Sequence, residues 1–216
     1  MTRIYVLVEG QTEETFVSEI LAPHYRQSGR YLTPIVVTTS KGQKGGVTRY
    51  AKVKPQIDKL CKQDAAAWVT TMFDLYALPA DFPGKTDPAY KQFCNGADKA
   101  DYLENRLSAD IGRPRFVANL VVHEFEALLF SDIAPFATWT DDDTVLKPLR
   151  DLSASTPPEE INDSPSTAPS KRILAVVPGY QKTFHGPVIA SDIGLPTIRQ
   201  KCPHFSSWLD RLEGLA

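Results

Sequence analysis

The sequence is poor in the residues that build the common metal and redox centres. Its 216 residues hold three cysteines, Cys61, Cys94 and Cys202, which are odd in number and far apart. That spacing argues against a disulfide framework and a cysteine-based zinc cluster, and reduced thiols are expected. The four histidines, His24, His123, His185 and His204, form no paired ligand motif of the metalloprotease kind. No run approaches the ~20 apolar residues that cross a bilayer. No Gly-x-Gly-x-x-Gly follows the first apolar run, and no phosphate-binding loop of the Walker type is present. Dinucleotide binding and nucleotide-driven ATPase chemistry are disfavoured accordingly. Net charge is lacking too, at −2, which argues against a protein that coats nucleic acid by charge alone. The opening stretch from Met1 to Gly10 is too short in apolar residues for a signal peptide and has no small-residue cleavage site, so a cytoplasmic protein is expected.

What is present is an alternation of strand and helix signals. Arg3 to Val8 is β-branched and apolar, reads as a buried strand, and stops at Glu9-Gly10. Thr12 is the expected cap of the following helix, whose apolar face is Phe16, Val17, Ile20, Leu21 and Tyr25. Further strands are expected at Leu32 to Thr38, Ala66 to Phe73 and Arg115 to Val122. Further helices are expected around Arg49 to Lys62, Asp98 to Ala109 and His123 to Phe130. This order predicts an α/β fold, a mostly parallel sheet of about four or more strands with helices on both faces. One domain over 1–216 is expected, with its core at about 1–135. Residues 153–170, rich in Pro, Ser and Thr, read as a flexible insertion, and 171–216 as a helical tail packed on the core.

Charge is unevenly placed. Residues 41 to 62 carry Lys41, Lys44, Arg49, Lys52, Lys54, Lys59 and Lys62 against the single acid Asp58, and 141 to 163 carry seven acids against Lys147 and Arg150. The basic segment opens on a glycine-rich loop, Lys41 to Gly46, whose amides and lysines suit phosphate. A solvated loop and helix face is the plainer reading of the same residues. Three strand ends each deliver acid: Glu9, Asp74, and the pair Glu124/Glu126. Ligands of parallel α/β sheets collect outside the carboxyl ends of strands, so these acids are expected to converge. Converging carboxylates need a cation or a proton between them. A donor set of oxygens without cysteine or histidine clusters selects Mg²⁺ or Mn²⁺ over zinc. Each acid also has an ordinary role open to it, as a helix cap, a turn residue or a surface acid. His123, expected three positions from Glu126 on one helix face, either orients a carboxylate or phosphate or is structural.

Val8-Glu9-Gly10-Gln11-Thr12-Glu13-Glu14 resembles the first motif of Toprim domains, in the branch that includes the nuclease domains of overcoming-lysogenisation-defect and abortive-infection proteins. Phe73-Asp74, Asp81-Phe82-Pro83-Gly84 and His123-Glu124-Phe125-Glu126-Ala127-Leu128-Leu129-Phe130 resemble a bacterial family of unknown function. The tail motifs Pro169-Ser170-Lys171-Arg172, Pro178-Gly179-Tyr180, Gly186-Pro187 and Cys202-Pro203-His204-Phe205 resemble the same family. The resemblance implies a compact Rossmann-like Toprim fold. It implies Glu9 as general acid/base, Asp74 as a Mg²⁺ ligand and Glu126 as a further carboxylate. It also implies a nucleic-acid partner, DNA or RNA, and an ABC-type or SMC-like ATPase encoded nearby in phage defence. The sequence departs from the pattern at Asp74-Leu75-Tyr76, where a second Asp is expected. A phenol does not replace a carboxylate on magnesium at neutral pH, and Asp81 is the substitute to examine.

The leading expectation is a Mg²⁺- or Mn²⁺-dependent nuclease. Its site residues are Glu9 and His123 as catalytic groups, Glu9, Asp74, Glu126 and Asp81 toward metal, and Lys41, Lys44, Arg49 and Lys52 toward nucleic acid. An inactive Toprim-like sensor or adaptor is the first alternative, and a phosphotransferase or phosphatase on a small phosphorylated molecule the second. No membrane partner is expected, and a homodimer is left open.

Overall fold

The computed structural model describes the whole chain except residues 41, 42, 45, 77, 141, 162–166 and 178, and except the side chains of 39, 40, 43 and 44. By its contacts the chain forms two compact units, Met1–Val121 with Leu215–Ala216, and Val122–Gly214.

The first unit is built on parallel strands. Strand β1 (Thr2–Val8) lies between β2 (Arg30–Val36) and a later strand, with every pairing parallel. β2 is an edge strand. Pro34 sits opposite Val6 in it, which an edge tolerates because proline has no N–H for a further neighbour. Thr38–Ser40 and Gln43–Lys44 (β3 and β4) leave the sheet as a small antiparallel hairpin. Strand β5 (Trp68–Asp74) pairs with β1 and, on its other side, with β6 (Phe116–Val117) and β7 (Leu120–Val121). From Val69 to Asp74 every β5 residue is buried. Successive side chains point to opposite faces, so both faces of β5 are covered, as a parallel sheet requires.

Three features differ from the sequence expectations. First, the cap of helix α1 (Gln11–Phe16) is Gly10, and Thr12 is buried inside the first turn. The Glu13 carboxylate reaches back to accept from the Gly10 amide at 3.0 Å. Second, the helical run widens into a π turn at Val17–Leu21 before α2 (Ala22–Arg26), with the Ala22 amide donating to the Val17 carbonyl. Pro23 explains the widening, since it offers no N–H and crowds the carbonyl four residues back. Third, the expected strand over 115–122 is two short pieces. At the break the Thr71 hydroxyl donates to the Asn119 carbonyl at 2.7 Å and accepts from the Asn119 amide at 3.0 Å. The Leu120 amide then donates to the Glu104 carboxylate at 2.8 Å. Side chains take over the ladder for two residues. Helix α3 (Tyr50–Gln63) contacts β5. Helix α4 (Gly96–Ile111) contacts β6 and β7, is capped by the Asn95 side chain, and is closed by left-handed Gly112.

The second unit is helical. Prolines open most of its helices in the first turn, where a missing N–H costs nothing. A buried 3₁₀ turn at Phe125–Ser131 and a second one at Ala134–Trp139, which buries Phe136, lead through Asp143–Leu146 to α5 (Lys147–Ser155). Then come α6 (Pro169–Val176), α7 (Lys182–Ile193), α8 (Leu195–Lys201) and α9 (Pro203–Glu213). The α9 terminus is capped from a distance. Both Glu159 oxygens accept from the His204 and Phe205 amides at 2.9 Å. Trp208, Leu209 and Leu212 of α9 are buried. Among the described residues no helix is long and apolar enough to cross a membrane.

Replacing Thr71 with Val keeps the shape and removes the hydroxyl that serves Asn119. Leaving two buried backbone groups without it is expected to cost about 2 kcal/mol or more, read as a lower urea midpoint at unchanged slope. Thr71→Ser, which keeps the oxygen, is expected to lose less. A Thr71→Val variant as stable as wild type would show that the hydroxyl does not matter.

Candidate functional site

Two acids meet at the carboxyl edge of the sheet. Glu9 follows the last residue of β1 and Asp74 is the last residue of β5, and these strands are parallel neighbours. Both acids are buried. The Glu9 Oε1 accepts from the Asp74 amide at 2.7 Å. The Glu9 carbonyl accepts from the Gly46 amide at 2.9 Å, so the segment after the β3–β4 hairpin is tied to this corner. The Leu75 amide donates to the Val121 carbonyl at 3.0 Å, which pins the turn leaving β5. Neighbouring strands are about 4.8 Å apart, so two buried carboxylates on adjacent ends repel unless a cation or proton stands between them. The donor set is carboxylate oxygen alone, which fits Mg²⁺ or Mn²⁺.

Asp81 has a different role. Its Oδ1 accepts from the Tyr50 amide at 2.9 Å and its Oδ2 from the Ala51 amide at 3.2 Å, so both oxygens serve the first turn of α3. Those amides, Tyr50's above all, hold its carboxyl below the usual carboxylate range. Tyr76, where a second acid of the motif is expected, is 40% exposed. Arg49 and Lys52 are exposed at the start of α3. Lys41, and the side chain of Lys44, lie outside the described residues.

The second unit holds the other acid pair. His123 does not share a helix face with Glu126, because the 3₁₀ run starts at Phe125 and His123 sits before it at a φ of 64°. Left-handed backbone is uncommon for a side-chain-bearing residue, although histidine is among the types enriched there. Glu124 is extended and buried, and its Oε1 accepts from the Ser170 amide in the first turn of α6 at 2.6 Å. Glu126 is fully buried. Lys182 Nζ lies 3.0 Å from its Oε2, and the Tyr180 hydroxyl donates weakly to its Oε1 at 3.4 Å. Burial pushes the Glu126 carboxyl up to about 6, opposed by Lys182 and reinforced by Glu124. Burial, and then Glu126, raise the Tyr180 phenol as well. The Tyr180 ring stacks on His185 at 5.7 Å, and His185 packs edge-on against Trp139 at 4.4 Å. Lys182 and Tyr180 had no site signal in the sequence beyond the tail motif that contains Tyr180.

A family model described as a domain of unknown function, DUF4276, matches residues 8–213. The chain belongs to this family. Solved structures of the C-terminal region of the Xanthomonas campestris pv. campestris OLD protein are similar to this DUF4276 chain. The structure phased with iodine matches with a TM-score of 0.44 at 12% identity, covering 100% of this chain and 99% of that one. The structure phased with platinum matches with a TM-score of 0.44 at 14% identity, covering 99% and 98%. No curated protein sequence matches the chain.

Glu126 makes the stability of the DUF4276 chain pH-dependent with a definite sign. Its folded value of about 6 stands above the ordinary 4.5, so the folded state holds the proton more tightly than the unfolded chain. Its contribution is therefore present below about 4.5 and is lost as pH rises to about 6. Glu126→Gln is expected to remove this slope and, in EDTA, to be more stable than wild type at pH 7.5 by about 2 kcal/mol. Lys182, with its side chain 37% exposed, remains hydrated without its partner. Urea unfolding of both proteins at pH 4.5, 5.5 and 7.5 checks this. A wild-type excess that grows with pH would contradict a desolvated Glu126.

Proposed function

We propose that this protein is a Mg²⁺- or Mn²⁺-dependent nuclease that cleaves nucleic-acid phosphodiesters at the edge formed by Glu9 and Asp74. The observation that carries the reading is the buried pair of acids on adjacent parallel strand ends, with the Glu9 carboxylate held by the Asp74 amide. The Glu-Gly motif at Glu9-Gly10, which resembles that of Toprim nucleases, supports the same assignment. Asp74 and Glu9 would hold the cation. When bound, it supplies positive charge against the phosphate oxygens and polarises the phosphoryl group. Glu9 moves the proton of the attacking or leaving oxygen, and its aim is fixed by the amide it accepts from. Arg49 and Lys52, exposed at the start of α3, draw in backbone phosphate. The reading rests on Glu9 and Asp74 and does not need Asp81, whose oxygens are engaged at the head of α3.

The resemblance extends the proposal to phage defence beside a partner ATPase. A second reading is favoured by Tyr76, an exposed phenol where a further acid is expected. In that reading the chain is a sensor or adaptor subunit with no metal-dependent chemistry.

Labelled single- and double-stranded DNA and bulk tRNA, incubated with Mg²⁺ or Mn²⁺, are the test. Wild type is expected to cut at least one of them, and Glu9→Gln and Asp74→Ala to lose about 100-fold or more in rate. Wild-type rates in both variants would remove these residues from the mechanism. Calorimetry with Mn²⁺ separates the two readings, because an adaptor without a metal site gives no heat that depends on Glu9 and Asp74.

A further inference from the structure

Helix α3 has an unusual division of its side chains. Tyr50, Val53 and Ile57 are buried. The residues it exposes are Ala51, Lys52, Pro55, Lys59, Lys62 and Gln63, three cations and no acid. Its one acid, Asp58, is half-buried and engaged by Arg113 at 3.3 Å, and Lys54 is engaged by Asp110 at 2.8 Å. The helix therefore engages Asp58 and Lys54 sideways, and the side chains exposed on its outer face include three lysines and no acid. Lys52 and Lys59 are seven apart, two turns of helix, and Lys62 is three beyond, so they share that face. A shallow groove of about 640 Å³ runs there, lined by Lys54, Pro55, Asp58, Lys59, Lys62 and Gln63.

The near end of this face starts at the candidate centre. The Gly46 amide donates to the Glu9 carbonyl. Arg49, the N-cap of α3, follows three residues later, at most about 10 Å of chain. The Asp81 carboxylate fixes the first turn of α3 there. From Lys52 to Lys62 the axis advances about 15 Å. One strand of a duplex carries about four phosphates over that length.

We propose that the outer face of α3, through Lys52, Lys59 and Lys62, is the track along which a nucleic-acid backbone runs away from the Glu9–Asp74 edge. The proposal rests on the nuclease reading for its choice of polyanion. It adds two residues, Lys59 and Lys62, and a direction for the bound strand. Contacts of this kind go to phosphates and carry no sequence information, so binding along α3 is expected to be indifferent to sequence and steeply dependent on salt.

The test is binding without cleavage. A fluorescein-labelled 20-nucleotide single strand and a 20-base-pair duplex are titrated with the wild-type chain in EDTA over a series of KCl concentrations. Replacing Lys52, Lys59 and Lys62 together with Gln is expected to make the slope of log K against log[KCl] shallower by about two units. Affinity at low salt is expected to fall about 10-fold or more, with no change in melting temperature. A control triple at exposed lysines of the second unit, Lys147, Lys171 and Lys201 to Gln, is expected to bind as wild type does. The arm that binds more tightly names the form of the substrate. The proposal is overturned if neither probe binds, if the slope is unchanged, or if the control triple loses as much. Its failure and that of the nuclease reading are distinguishable. Metal-dependent cutting with an unchanged slope sinks the track alone, and a reduced slope without cutting sinks the nuclease alone.

Discussion

The Asp74 amide donating to the Glu9 carboxylate joins the ends of two central strands, and much of the first unit is arranged around that bond. A carboxylate at the end of a buried parallel strand is costly unless something donates to it. The neighbouring strand provides a donor because β1 and β5 run in the same direction and β5 continues two residues past Met72, the partner of Val8, to Asp74. The consequence is a second acid at the same edge, since the residue that gives the amide is itself Asp74. Stabilising one carboxylate thus brings up another, and the pair needs a cation or a proton between its members. The Gly46 amide on the Glu9 carbonyl and the Val121 carbonyl on the Leu75 amide hold the flanking segments to this edge on both sides.

The second unit handles buried charge by other means. Glu159 is matched by two helix-terminal amides, Glu124 by one, and Glu126 by an ammonium and a phenol. Amides at a helix start are fixed donors that need no side-chain ordering. Lys182 is a flexible partner with a part-exposed chain, and burial dominates Glu126 even with Lys182 beside it. Burial raises the Glu159 carboxyl as well, opposed by its two amides. Glu126 also lies three residues after the left-handed backbone of His123.

Membership of the DUF4276 family gives the chain relatives and leaves its chemistry to its own residues. What the residues offer is an oxygen donor set at a sheet edge and a basic helix that begins beside it. Asp81 serves that helix in a way the motif alone does not suggest, by fixing the head of α3 with both oxygens. Its pattern Asp81-Phe82-Pro83-Gly84 is thus explained by architecture, with Phe82 buried beneath it. Gly84 adds a tight fit, at a φ of 84° and with room for no Cβ against Arg106.

The sequence by itself determined the alternation of elements, because β-branched runs and helical spacing are local signals. β1, β5, α3 and α4 fall within a few residues of where the pattern puts them. It also determined that acids end β1 and β5. It misplaced the cap of α1 because a capping side chain can reach from three residues ahead, as Glu13 does. It extended the last strand through Ala118 and Asn119 because the hydroxyl that interrupts the ladder belongs to Thr71, 48 residues away. It put His123 on a helix because nothing in the composition of 123–130 marks a backbone reversal. Which acid receives an amide, which caps a helix and which meets a lysine was decided by tertiary structure alone. The partners of Asp81, Glu124 and Glu126 come from at least 30, 46 and 54 residues away. A carboxylate looks the same in a sequence whichever partner the fold brings to it.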